Sequence, residues 1–405
     1  MSIFYEIDSL EETIYESDKL FNSLRDEVRD FDSNCETSIN DASDIECAYI
    51  QFMNSILDII PDGLPLCEIE FADSMAMFGL VKGDLLDDVV ARLSGVTDGD
   101  TVQALLDSLS PIDKLDKIVI LNIIYNAPPS IRSLILLYVD KIDIQCINSG
   151  GVFVPLNSSC GRTPGIYFNL AEDRVNPRGP FYTFFHEIGH MIDYWFGVEI
   201  GTGNFFSSSH IQFSEQLFDA LTTDVRSKFD DVANQIIRDL MNEHNFVASG
   251  VGDFINQQRE LLNQAIEEIM AGNRIVYRGQ QLTEAQRVQL YLQNKVDEAL
   301  VRRPTTELPN KTWYNMNTVS DTFAGMTNSS VTGTAGDRRR NRYHYWFDIN
   351  GNPTNFQQME IFAGVFSNMT LHNDDAIANI NHYLPEASGI VGGIIDYMSS
   401  RTGGG

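Results

Sequence analysis

Basic side chains are scarce in this chain. Lys and Arg together number 28 against 57 Asp and Glu in 405 residues, a formal net charge of −29. A surface so short of cations repels phosphate backbones, which excludes a nucleic-acid binder, and it is equally unsuited to anionic lipid surfaces. Long apolar runs are missing too. The longest, Ile118–Ile124 and Ile131–Val139, fall short of the roughly 18 residues needed to cross a bilayer, so no membrane span is expected. Cysteine is sparse and odd in number: Cys35, Cys47, Cys67, Cys146 and Cys160, with no C-x-x-C. That spacing argues against a disulfide framework or a thiolate zinc site and predicts reduced, mostly buried thiols. The first residues, Met1 to Asp8, lack the basic-then-apolar pattern of a signal peptide, which predicts synthesis in a cytoplasm without a cleavable leader. What is present suffices for a real core: 43% of residues are hydrophobic and 10% aromatic, and the length predicts more than one domain.

The acidity is concentrated. Residues 1–110 hold 25 acidic and 5 basic side chains, the remaining 295 hold 32 and 23. Leu10, Ile14, Leu20, Phe21, Leu24 and Val28 recur near helical spacing, as do apolar positions in Tyr49–Ile60, Asp84–Leu93 and Val102–Leu109. Residues 1–110 therefore read as an acidic helical module suited to a basic protein partner. Ser110-Pro111 is the expected start of another helix.

Beyond it the pattern changes. Ile131–Tyr138 reads as helix, Lys141–Ile147 as a strand by its period of two, Gly150-Gly151 as a turn, and Gly165–Leu170 as a second strand. A polar loop over Ala171–Gly179 leads to a helix beginning near Pro180. Helices are predicted over Phe213–Phe229, Val232–Glu243, Phe254–Met270 and Leu282–Leu300, the last with a capping box between Thr283 and Gln286. Asn315–Asn341, rich in Thr, Ser, Gly and Asn and ending in the Arg338–Arg342 run, reads as a long loop. Gln357–Met369 and Ala387–Met398 are the last helices expected. The fold class predicted is α+β and mostly helical, divided as 1–110, 111–200, a helical insertion at 201–312, and 313–400.

One motif dominates the chemistry: Phe184-Phe185-His186-Glu187-Ile188-Gly189-His190-Met191-Ile192-Asp193, which contains H-E-x-x-H. Residues four apart on a helix project from one face, so His186 and His190 can each direct an imidazole nitrogen at one Zn²⁺. Glu187 is then placed to take a proton from water at that metal. Gly189 costs about 1 kcal/mol inside a helix relative to Ala, a cost that makes sense if another segment packs closely there. The third ligand must come from elsewhere. Glu215, 25 residues beyond His190, is one candidate and Glu360 the other. Asp193, one turn past His190, reads as a hydrogen-bond partner of a histidine ligand, with a solvated or capping carboxylate as the alternative.

His186–His190 with Asp193 resembles the H-E-x-G-H-x-x-D helix of the anthrax lethal factor-like zincin metalloproteases. Met359-Glu360-Ile361-Phe362-Ala363-Gly364-Val365-Phe366 resembles the helix that supplies that family's third ligand, which implies Glu360. Ser320-Asp321-Thr322-Phe323-Ala324-Gly325-Met326-Thr327, with Gly333, Gly336 and Tyr345-Trp346, is similar to a signature of zincin domains from phages and polymorphic toxins. The resemblance covers about 130–230 and 313–385. It implies a zincin-like domain with a small sheet, a Zn²⁺ cofactor, and a tyrosine that stabilises the oxyanion. In Tyr343-His344-Tyr345-Trp346, Tyr345 aligns with the family's pair, and His344 is the alternative donor.

The function expected is a zinc endopeptidase cleaving a protein or peptide substrate, held extended along the strand at 165–170. A toxin, an effector or a protease delivered with a phage particle is implied, exported without a cleavable signal or packaged. The competing expectation is a phage structural or adaptor protein that keeps the fold as a scaffold.

Overall fold

A computed structural model describes residues 85–402, except 157, 159–160, 244–250, 274, 276–280, 302–311, 313 and 334–344. The chain divides into two compact units, 1–74 and 75–405. The helices expected within residues 1–84 lie outside the described residues, as do Cys35, Cys47, Cys67, Cys160, Gly336, Tyr343, His344 and the Arg338–Arg342 run.

The second unit is mostly helical with one small sheet. Helices α1 (Leu85–Ser94), α2 (Gly99–Ser108), α3 (Lys114–Asn126) and α4 (Pro129–Leu137) come first. Asp98 caps α2 by accepting from Thr101 N, and Asp113 caps α3 by accepting from Asp116 N. The third helix therefore starts at Lys114 rather than at Ser110-Pro111. α1 packs on α3, and α2 packs on α4, so residues 85–108 share a core with α3 and α4.

Three strands make the sheet: β1 (Ile144–Cys146), β2 (Gly151–Val154) and β3 (Gly165–Phe168), in the order β1-β3-β2. β1 runs parallel to β3 and β2 antiparallel to it, with Ile166 paired to Ile144 on one side and Phe153 on the other. This corrects the reading of 165–170 as the strand that holds substrate. β3 is central and both its edges are occupied. The two outer edges belong to β1 and β2, the latter in a segment whose leading glycines read as a turn. A short helix α5 (Leu170–Arg174) then interrupts the expected polar loop.

Helix α6 (Tyr182–Glu199) is buried along most of its length. Its opposite partner is α12 (Phe356–Thr370), and these two form the most extensive helix pair in the unit. Gly189 is the reason they approach so closely. A Cβ there would stand 3.0 Å from Ala363 Cα and 3.4 Å from the Phe366 Cβ. The close packing expected from a glycine in this helix is present.

Between them run α7 (Phe206–Ser209), α8 (Ile211–Glu243), α9 (Val251–Met270), α10 (Glu284–Val301) and α11 (Asn317–Met326). α8 is one continuous helix of 33 residues where two were expected. It packs on α9 and along the last helix, α14 (Pro385–Thr402). The capping box of α10 is formed: Thr283 N donates to Gln286 Oε1 and Gln286 N to Thr283 Oγ1, at 3.0 and 3.2 Å. α11 occupies a stretch read as loop from its Ser, Thr, Gly and Asn content. Those small side chains are buried against α12, where bulk would not fit. A further helix, α13 (Asp374–Tyr383), precedes α14. Among the described residues no helix is long and apolar enough to cross a membrane.

Candidate metal centre

The start of α6 is held from outside the helix. Phe181, at its N-cap, has φ of +61° and no capping side chain. The buried Asp173 carboxylate takes over, accepting from Thr183 N at 2.9 Å and Phe184 N at 2.8 Å. It satisfies two of the helix's unpaired donors and opposes the positive end of its dipole. Asn176 Nδ2 ties the same carboxylate to the loop at 2.9 Å. Asp173 thus fixes where the first turns of α6 point.

One turn further, His186 and His190 project together, with ring centroids 4.8 Å apart. Glu360 on α12 meets both: its Oε2 lies 3.3 Å from His186 Nε2 and its Oε1 4.0 Å from His190 Nε2. The three ligand atoms lie within 4.8 Å of one another, the one such group of three or more His, Cys, Asp or Glu among the described residues. Ligands at the usual zinc distances around a tetrahedral ion stand about 3.3–3.5 Å apart; the Glu360–His186 pair has that spacing and the Glu360–His190 pair is wider, so these three residues are the ones that could hold a small divalent cation by drawing closer together. His190 and Glu360 are 170 residues apart in the chain; the α6–α12 contact brings them together. Glu215 is exposed on the first turns of α8 and outside this group.

Burial alone would lower the His186 pKa. The hydrogen bond and charge of Glu360, joined by the charge of Glu187, outweigh that and hold it above the ordinary histidine value, while Arg178 works against them. His186 Nδ1 is buried without a hydrogen-bond partner. That departs from the habit of metal-binding histidines, whose second nitrogen usually donates to an acceptor.

Asp193 is not the acceptor. Its two oxygens receive Ser207 N at 2.7 Å and Ser207 Oγ at 2.6 Å, so the expectation that it supports a histidine is corrected. The carboxylate instead anchors α7 to α6 and sets Phe205 edge-on to His190, with centroids 6.2 Å apart. Burial pushes the Asp193 pKa up to about 7, against the hydrogen bonds from Ser207.

Glu187 is buried, and its Oε2 accepts from Phe153 N at 2.6 Å. That bond joins α6 to the free edge of β2. Asn169 N donates to Gly150 O on the β3 side, so by the alternation of an antiparallel pair Gly151 and Phe153 turn their N–H and C=O groups to the open edge. Gly151 is required at this junction. A Cβ would meet Thr183 Cγ2 at 2.3 Å and Glu187 Oε1 at 3.1 Å.

Tyr345 completes the group. Its hydroxyl donates to Glu360 Oε1, and its ring stacks on Phe356 at 4.4 Å and 10°. Gln357 Nε2 holds the adjoining Trp346 O at 2.8 Å. His186, Glu187, His190, Tyr345, Phe356 and Glu360 line one cavity of about 690 Å³, together with Gly151, Phe153, Arg178 and Tyr182, and with Asn317, Thr318, Asp321 and Thr322 of α11. His186, Glu187, His190, Glu360 and Tyr345 are therefore brought together, while Glu215 and Asp193 are not part of the lining. The β2 edge, Arg178 and Tyr182 were missed from the sequence. The apolar Val152-Phe153-Val154 run was the available signal for the strand, and the four-residue step from Arg178 to Tyr182 to His186 for the other two.

Comparison of the chain with family models, with curated proteins and with solved structures gives no match.

Proposed function

We propose that the protein is a zinc-dependent endopeptidase, with His186, His190 and Glu360 as ligands and Glu187 as general base. The observation that carries this reading is the convergence of two histidine nitrogens and a buried carboxylate beside a second buried carboxylate, in one cavity bounded by an open strand edge. Glu187 also ties α6 to β2 through Phe153 N, so the choice between enzyme and scaffold falls to cleavage and not to the presence of this carboxylate.

Zinc, when bound, supplies a Lewis acid that polarises a carbonyl and lowers the pKa of water toward neutrality. The chain's own residues do the rest. Glu187 takes a proton from the attacking water and passes it to the leaving amine. The Tyr345 hydroxyl, which donates to Glu360 in this structure, is the donor for the oxyanion that develops on the scissile carbonyl. The backbone groups of Gly151 at the β2 edge hold the substrate chain extended. Phe205 and Phe356 shield the histidines and Tyr345 from bulk water. The acidic N-terminal segment suits delivery or docking on a basic partner, in keeping with a toxin, an effector or a phage-borne protease.

The test is metal content by native mass spectrometry, wild type against His186→Ala, joined to proteome-wide mapping of new N-termini for wild type against Glu187→Gln. One Zn²⁺ per wild-type chain, absent from His186→Ala, with new termini only from wild type, is the expected result. Zinc without cleavage would leave a metal-bearing scaffold.

A further inference from the structure

Arg178 is the single Lys or Arg among the residues that line the cavity, against Glu187, Asp321 and Glu360. Its position is fixed from three sides. Backbone N and Nε both donate to Asn176 Oδ1, at 3.1 and 3.3 Å. The guanidinium carbon lies 4.0 Å from the Tyr182 ring centroid. Its carbonyl accepts from Asn373 Nδ2 at 3.3 Å. Asn176 is itself bonded to Asp173 and Thr183, so the arginine is tied to the same carboxylate that sets α6. Tyr182 stacks on His186 with centroids 6.1 Å apart and planes 21° apart. Guanidinium, phenol ring and imidazole form one column leading from the cavity wall to the metal ligands.

What this arginine lacks is an acid. Four residues earlier Arg174 pairs with Asp113 and Asp116, and Arg226 pairs with Glu267. Arg178 makes no ion pair with any described residue, in a chain with twice as many acidic as basic side chains. A half-buried, pre-positioned and unneutralised fork beside a metal centre is unfavourable until an anion arrives.

We infer that Arg178 selects the substrate: it binds a carboxylate of the bound peptide through the terminal nitrogens of its guanidinium, and acidic peptides are the preferred class. This rests on the peptidase reading. The carboxylate has two sources, an Asp or Glu side chain or the peptide's own C-terminus. Asp321 on the same cavity wall is the competing feature, since it would favour a basic peptide; Asn317 Nδ2 donates to it at 3.2 Å.

The test uses internally quenched peptides in which each position near the scissile bond carries Glu, Gln or Lys in turn, with free or amidated C-termini. They are assayed with wild type, Arg178→Ala, Arg178→Lys and Arg178→Glu. A charge-assisted contact of this kind is worth about 10- to 100-fold in kcat/KM. Wild type is expected to favour Glu over Gln by about that factor at one position, with amidation neutral. If instead only the free C-terminus gives the advantage, the source is the terminal carboxylate. Arg178→Ala should erase the preference, with circular dichroism and bound zinc matching wild type as the report of an intact fold. Arg178→Lys should keep part of the preference, and Arg178→Glu should turn it toward Lys. Equal Glu-to-Gln ratios in wild type and Arg178→Ala, or a wild-type preference for Lys, would overturn the inference. Should no peptide be cleaved, the peptidase reading fails and the inference is decided by binding. Fluorescence anisotropy of the same peptides on wild type and Arg178→Ala then supports it if the acidic peptide alone loses affinity, and overturns it if neither does.

Discussion

α12 and the first turns of α8 each offer a glutamate to the histidine pair, and the two settings differ in one physical respect. Glu360 is 7% exposed and stands among Ile361, Phe362, Val365 and Phe366, all buried. Glu215 lies on a wet face near Ile211, which is itself 88% exposed. A carboxylate in water needs no partner, whereas one buried with two imidazoles and a phenol needs a compensating cation or shared protons. The difference teaches that the closer residue in sequence is the worse candidate, because burial and not spacing makes a carboxylate a ligand.

The comparison can be sharpened by function first. Glu187 has the same buried character as Glu360 but is proposed as the base. Glu187→Gln should leave zinc content unchanged and reduce peptide hydrolysis by about 10²- to 10⁴-fold; unchanged turnover would place the base elsewhere. Next comes the pair itself. Glu360→Gln should weaken zinc binding by well over the ~10–100-fold typical of residues that only support a ligand, and Glu215→Gln should stay within about twofold. Competition with a chromogenic chelator reads both, and the reverse outcome would move the site to α8.

A third experiment takes the contrast between buried and exposed carboxylates to Asp193. Its folded pKa of about 7 lies above its ordinary value of 3.8, so between those values the native state holds the extra proton. Stability then falls as pH rises through this window and levels off above it. Urea midpoints of the metal-free protein at pH 4.5, 6 and 8 should show wild type losing on the order of 3 kcal/mol relative to Asp193→Asn. Parallel curves would show that Asp193 is charged throughout. The smallest effect concerns the interface that joins α6 and α12. Gly189→Ala forces a methyl to 3.0 Å from Ala363 Cα and should lower stability by about 1–3 kcal/mol, as overpacking does. A thermal melt of the apo protein reads it, and a stabilised variant would show that α6 and α12 can part at little cost.

Much of the site was legible because it sits on regular helices. His186, Glu187 and His190 carry a spacing that only a helix satisfies, Gly189 announced the close neighbour, and the apolar stripe around Glu360 announced a buried face. What escaped was set by tertiary context. The four-residue strand β2 opens on glycine because Glu187 and Thr183 crowd it, which makes it look like a turn. α11 looks like loop because Thr318 and Thr322 are chosen for fit against α12 and for bonds to neighbouring carbonyls and amides. Asp193 keeps the spacing of a ligand support, yet Ser207, fourteen residues on, claims it. No local pattern records which of two polar groups will be nearer after folding.

The distance along the chain between His190 and Glu360 also sets a clock. A ribosome that has just added His190 must add 170 more residues before Glu360 exists. At about 5–20 residues per second that is roughly 10 to 30 s. Throughout that interval the nascent chain carries His186, Glu187 and His190 but not the Glu360 carboxylate that completes the group. Any chain that terminates inside it ends as the same incomplete form. An unfinished chain thus lacks the assembled group of His186, His190 and Glu360, and the order in which the residues are made is enough to delay it.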